Sequence, residues 1–167
     1  MTITIIGMPG SGKTCMARAL SSKLKMKCLD GDRLIEKITG RQLQDIIDED
    51  GLDAFKKIEE EILLTITDDN LLVSPGGSAV YYDSVMRHFK EMGPVLYLHV
   101  SPKNLIARLG DFSRRGVALK PGQTIEDLYN ERLPLFRKYA DITVNCDGVA
   151  YSRYQKDALA KILDYIK

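Results

Sequence analysis

The sequence predicts an α/β fold: a parallel sheet with helices on both faces. Three observations carry this. Five short apolar runs alternate with longer stretches of helical periodicity along the chain. The first run, Thr2 to Ile6, is apolar on both faces, as suits a central strand buried between helix layers. Three polar, glycine-bearing stretches, Gly7–Thr14, Asp30–Asp32 and Ser74–Ser78, fall at the carboxyl ends of predicted strands. Ligands gather at those ends in open α/β sheets.

Taken in order, the Thr2–Ile6 strand stops at Gly7, and a helix follows from Lys13 to about Lys25 with Met16, Ala17, Leu20 and Leu24 along one stripe. Met26–Leu29 is a weaker strand candidate ending at Asp30. Helical pieces follow at Arg33–Ile38, Gln42–Ile47 and Leu52–Ile66. Leu71–Ser74 is a strand closed by Pro75-Gly76-Gly77, Val80–Met92 reads as one helix, and Val95–Val100 as a strand. Pro102–Leu109 is helical and ends near Gly110. Thr124 is placed to cap the next helix, which runs to about Tyr139, and Pro134 within it predicts a kink or a break. Ile142–Asn145 is the last strand, and Ala150–Ile166 a closing amphipathic helix.

With 167 residues, the chain is expected to form one domain over 1–167, long enough to bury its own core. The net charge of +1 excludes a globally basic nucleic-acid or membrane binder, so any affinity for an anion must be local. Trp is absent and the aromatic residues are scattered, which leaves no stacking platform for a single strand. Cys15, Cys28 and Cys146 have no metal-ligand spacing and read as small half-buried residues of a reducing compartment. No apolar run approaches the ~20 residues of a membrane span, and MTITIIGMPG lacks the basic start of a signal peptide. A cytoplasmic monomer is expected.

The stretch Gly7-Met8-Pro9-Gly10-Ser11-Gly12-Lys13-Thr14 fits G-x-x-x-x-G-K-[ST] between a strand and a helix. Glycines let successive N–H groups curl toward a polyphosphate, and the helix adds its positive end. Lys13 is expected on the β- and γ-phosphates, and Thr14 on Mg²⁺. The chain has no Asn-Lys-x-Asp guanine-reading motif. Its D-x-x-G string, Asp48-Glu49-Asp50-Gly51, lies between helical pieces rather than after a strand. Leu71-Leu72-Val73 leads into Ser74 and Pro75 rather than into a water-activating carboxylate. These absences point away from GTPases and motor ATPases, toward an ATP-dependent kinase acting on a hydroxyl.

Asp30-Gly31-Asp32 offers two carboxylates opposite the phosphate loop. One can hold Mg²⁺ through water, and the other can accept the proton of an attacking hydroxyl. An Asp helix cap is the plainer reading of the same residues. The basic, non-periodic stretch from Arg108 to Lys120, within a glycine-bounded segment at about 110–122, fits a lid that brings an Arg to the transferring phosphoryl group.

With the phosphate loop, the Asp-Gly-Asp and the Ser-Pro-Gly-Gly-Ser turn in order, the chain resembles the shikimate kinase family. The likeness runs nearly end to end and includes Asp53–Glu60 and Glu131–Asp141. It implies a P-loop kinase fold of the nucleoside monophosphate kinase type, with strand order 2-3-1-4-5. The implied reaction is MgATP-dependent phosphorylation of a small polyhydroxy carboxylate, shikimate going to shikimate 3-phosphate. By position, the resemblance gives Gly10, Ser11, Gly12, Lys13 and Thr14 to the phosphates and Thr14 with Asp30 to the metal. It gives Asp32 to the acceptor hydroxyls, Gly76 and Gly77 to the acceptor pocket, Arg132 to the acceptor carboxylate and Arg108 to the adenine. Arg114 or Arg115 matches the catalytic lid arginine.

The family pattern is broken in three places, all on the acceptor side. Lys56 stands where the family carries an arginine of the carboxylate clamp, so a bidentate fork becomes a point charge. Ser78 stands where a third glycine is usual and brings a side chain to the pocket. The lid reads Arg114-Arg115-Gly116-Val117-Ala118-Leu119 in place of the family's Arg-Pro-Leu-Leu. Another small hydroxy acid or polyol as acceptor, or a nucleotide binder without catalysis, are the alternatives these departures raise.

Overall fold

The structure, a computed structural model, describes residues 1–110 and 119–167. Its strands are β1 (Ile3–Gly7), β2 (Lys27–Asp30), β3 (Leu71–Ser74), β4 (Val95–His99) and β5 (Ile142–Asn145). They pair in the order β2-β3-β1-β4-β5, all parallel, as the resemblance implies. Every residue of β1 is buried, whereas β2, at the sheet edge, leaves Lys27 and Cys28 exposed. The register pairs Gly7 with Leu98 and Asp30 with Ser74. That alignment brings the carboxyl ends of four strands to one rim, where the site forms.

Helices α1 (Lys13–Leu24), α2 (Gly31–Thr39), α3 (Leu43–Asp50), α4 (Leu52–Leu64), α5 (Asp83–Met92), α6 (Pro102–Leu109), α7 (Ile125–Tyr139) and α8 (Tyr151–Tyr165) make up the outer layers. Met16, Ala17 and Leu20 form the buried stripe of α1. They join the strand side chains, Phe136 of α7, and Tyr154, Ala158 and Ile162 of α8 in the main core. Two smaller clusters extend it. One gathers Leu63, Val73, Val85 and Phe89; the other holds Ile35, Ile46, Phe55 and Ile62 between α2, α3 and α4.

The structure departs from the sequence reading at four points. Helix α2 begins at Gly31 rather than Arg33, because the Asp30 side chain caps it by accepting from the backbone N–H groups of Asp32 and Arg33. The stretch 80–92 is not one helix. A single 3₁₀ turn, Ala79–Tyr81, precedes α5, and Tyr82 between them is extended, half-buried against the cluster that includes Phe89. Helix α7 runs through Pro134 without a break. A capping box between Thr124 and Asp127 fixes its start, and the buried side chains of Leu128, Tyr129, Arg132, Phe136 and Tyr139 hold it on both sides of the proline. Phe136 stacks on Tyr97 with ring centroids 4.9 Å apart. Such packing offsets the ~3 kcal/mol that proline costs a helix interior. Finally, Cys15 and Cys28 are exposed and Cys146 is buried, so none is half-buried.

Candidate active site

The β1–α1 loop is shaped by Gly12, whose φ of 90° is a left-handed conformation that side chains resist. This turn starts α1 at Lys13. The Lys13 ammonium donates to the carbonyls of Gly7 at 3.0 Å and Met8 at 2.8 Å. Burial lowers its pKa to about 8; Arg132 pushes the same way, while Asp32 and Asp30 push back. Beside it, the Thr14 hydroxyl donates to Asp30 Oδ2 at 3.2 Å.

Asp30 thus does two things. One oxygen caps α2 through the N–H groups of Asp32 (3.1 Å) and Arg33 (3.3 Å), and the other meets Thr14. The plainer cap reading of Asp30 therefore holds, and its second oxygen faces the Thr14 hydroxyl. Asp32, in the first turn of α2, is raised to about 6. Burial is the main cause, and the charges of Asp30 and Glu59 add to it, against the pull of Lys13. Asp32 is therefore a base close to neutrality, the range in which proton transfer is efficient.

The third wall comes from the turn after β3 and from α7. A methyl group on Gly77 would lie 2.8 Å from Arg132 Nη1, so the turn is flush against that guanidinium. Arg132 is only 4% exposed. Its Nε donates to the Tyr81 hydroxyl at 3.2 Å, and its guanidinium lies 5.2 Å from the Tyr81 ring centroid. Tyr81 in turn donates to Glu131 at 2.8 Å. Glu59 of α4 is 1% exposed, and the Ser78 hydroxyl donates to its two oxygens at 2.7 and 3.0 Å.

Most of these groups line one cavity of about 360 Å³, of which Tyr81 and Glu131 are not part. Gly10, Gly12, Lys13 and Thr14 of the phosphate loop, Asp30 and Asp32, and Gly76, Gly77, Ser78 and Arg132 all line it. The structure thus brings together ten of the residues singled out from sequence. Ser11 is fully buried in the loop and does not reach the cavity. Lys56 is exposed on α4 and is not part of the lining. Arg108 bridges the carbonyls of Ser11 and Cys146, both at 3.4 Å, and so ties the phosphate loop to the segment after β5. Arg114 and Arg115, with residues 111–118 of the expected lid, lie outside the described residues.

Sequence reasoning missed Glu59, Phe55, Gln44 and Tyr81. Glu59 carried a signal: it sits four residues after Phe55 and three before Ile62 on the buried stripe of α4, an acid where an apolar residue is expected. Gln44 and Tyr81 carried none.

An amide-lined turn opening a helix, a threonine–aspartate corner, a near-neutral carboxylate and a buried guanidinium share one rim of this sheet. Together they define an ATP-dependent P-loop kinase that phosphorylates a small molecule. Comparison with known proteins narrows the class. The family model for shikimate kinase matches residues 9–167. The shikimate kinase of Sulfurihydrogenibium sp. (strain YO3AOP1) is 32% identical over 161 residues, covering 96% of each chain. The chain belongs to the shikimate kinase family. Among solved structures, a shikimate kinase from Acinetobacter baumannii in complex with shikimate matches with a TM-score of 0.85 at 28% identity, covering 99% of this chain and 92% of that one. The shikimate kinase from Aquifex aeolicus matches with a TM-score of 0.82 at 25% identity over 99% and 96%.

Proposed function

We propose that the protein transfers the γ-phosphoryl group of MgATP to a hydroxyl of shikimate, forming shikimate 3-phosphate. The observation that carries this is Asp32, near-neutral and half-buried, lining one cavity together with Lys13 and Arg132. Family membership, and the solved relative that holds shikimate, supply the acceptor.

In this reading the Gly7–Thr14 loop and Lys13 grip the β- and γ-phosphates, with the ammonium exchanging its carbonyl partners for phosphate oxygens. The Thr14 hydroxyl and the Asp30 carboxylate are hard oxygen donors at the phosphate end, a set that fits Mg²⁺ with most of its water retained. Bound there, the ion supplies neutralisation of charge on the phosphoryl oxygens. Arg132 pairs the acceptor carboxylate. Asp32 orients the acceptor hydroxyl and takes its proton as the oxygen attacks phosphorus. Arg108 flanks the adenine, and Arg114 or Arg115 serves from the lid. A cytoplasmic monomer of one domain goes with this reading. No described helix is long and apolar enough to cross a membrane.

A coupled ADP-release assay with MgATP and shikimate tests the proposal, with the product identified by mass. Shikimate-dependent turnover is expected, and none at millimolar shikimate overturns the acceptor. One observation favours a second acceptor: Lys56 stands off the cavity, which leaves Arg132 as the cation at the acceptor end among the described residues. A hydroxy acid needing only one guanidinium fits that arrangement, and a screen of hydroxy acids, sugar acids and cyclitols separates the two.

A further inference from the structure

We infer that Ser78 is a positioning residue, which pins the buried Glu59 carboxylate in the acceptor wall and so sets how the site reads its acceptor. The inference rests on the proposal that this cavity holds the acceptor, and extends it to a residue in which this chain departs from the family.

The turn after β3 makes different demands on its successive residues. Gly76, at φ 105°, is left-handed, and a side chain on Gly77 would press on the Arg132 guanidinium. Ser78, at φ −89° and ψ −8°, has a conformation open to any residue. A third glycine is therefore not required by the backbone, and the hydroxyl it would lack goes to Glu59.

Glu59 needs that hydroxyl. It is an acid at 1% exposure with no ion-pair partner within 4.0 Å among the described residues. The Ser78 hydroxyl donates to both of its oxygens, and the Tyr82 hydroxyl lies close enough to act on the same carboxylate. A carboxylate has about four acceptor positions, so these hydroxyls leave others open on a residue that lines the cavity. Burial pushes the Glu59 pKa up, while Ser78 and the nearby Tyr82, Arg132 and Lys56 hold it down. Asp32, from α2, faces the same space and is in turn raised by the charge of Glu59. Ser78 thus holds the position of one carboxylate in the wall of the cavity that Asp32 also lines.

The test pairs kinetics with a direct titration. Ser78→Ala removes the donor, Ser78→Thr keeps it, and Glu59→Gln removes the charge it serves. Ser78→Ala is expected to raise the acceptor KM about tenfold, the scale of a lost hydrogen bond to a buried charged group, with the ATP KM unchanged. Ser78→Thr should recover most of the loss. In a Glu59→Gln background, Ser78→Ala should cost little more, because the two residues act as one unit. Independently of any turnover, carbon-13 NMR of the glutamate carboxyls should find the Glu59 pKa higher in Ser78→Ala than in the wild type. An unchanged Glu59 pKa, or additive kinetic losses in the double variant, overturns the inference. A shifted Glu59 pKa in a protein with no shikimate turnover leaves the pinning intact and overturns the acceptor reading instead.

Discussion

Replacing Asp32 by asparagine should make the protein more stable and nearly inactive. Asp32 is raised from 3.8 to about 6 by burial and by the neighbouring Asp30 and Glu59 charges. At 1.36 kcal/mol per pH unit, ionising it in the folded state costs ~3 kcal/mol at pH 7. The sign follows from proton counts. Between 3.8 and about 6 the folded state binds more protons than the unfolded state, so stability falls as pH rises through that window. Below 3.8 both states are protonated and the penalty disappears. Asparagine removes it at every pH, but it also takes from Lys13 the largest opposing influence on its lowered pKa. The net gain is therefore smaller, ~1–2 kcal/mol at pH 7.5, or a Tm rise of about 3–6 °C for a chain of this size. Urea unfolding at pH 7.5 and at pH 4 measures both. The variant should lead at pH 7.5 and converge on the wild type at pH 4, while kcat drops about 10²–10⁴-fold. A variant no more stable at pH 7.5, or equally favoured at both pH values, refutes the idea that strain on this carboxylate is held in the fold for catalysis.

Further outcomes follow from the same geometry. The pH profile of kcat/KM should be a bell, rising through about 6 as Asp32 ionises and falling through about 8 as Lys13 loses its proton; a flat profile between pH 5 and 9 refutes both roles. Lys13→Ala should reduce turnover below detection while circular dichroism stays that of the wild type, because the residue serves charge rather than packing. Arg132→Lys should raise the acceptor KM about ten- to a hundredfold with little change for ATP, since a point charge cannot replace a buried fork seated on Tyr81. Lys56→Ala, by contrast, should change the acceptor KM less than about threefold, because an exposed lysine off the cavity interacts through water.

The sheet and the phosphate end were legible in sequence because their signals are local. Five apolar runs, a glycine pattern that permits one loop shape, and acids at strand ends each lie within a few residues. What escaped depends on contacts between distant segments. The break at Tyr82 coincides with a ring packed against the cluster that holds Leu63 and Phe89, which no periodicity within 80–92 records. Pro134 counts as a breaker until the buried faces on both sides of it are seen to hold α7. The partnership of Ser78 and Glu59 spans nineteen residues and two elements. Ser78 alone reads as a departure and Glu59 as an acid on an apolar stripe; only folding joins them.

The all-parallel order β2-β3-β1-β4-β5 also bears on how this protein comes to work. No two neighbouring strands are joined by a hairpin, so each pairing must wait for an intervening helix to form and dock. The groups that grip nucleotide and acceptor are drawn from residues as far apart as Gly10 and Arg132. On dilution from denaturant, helical signal should therefore return well before ligand affinity, and a chain stopped short of α7 should have most of the sheet but an acceptor end without its guanidinium.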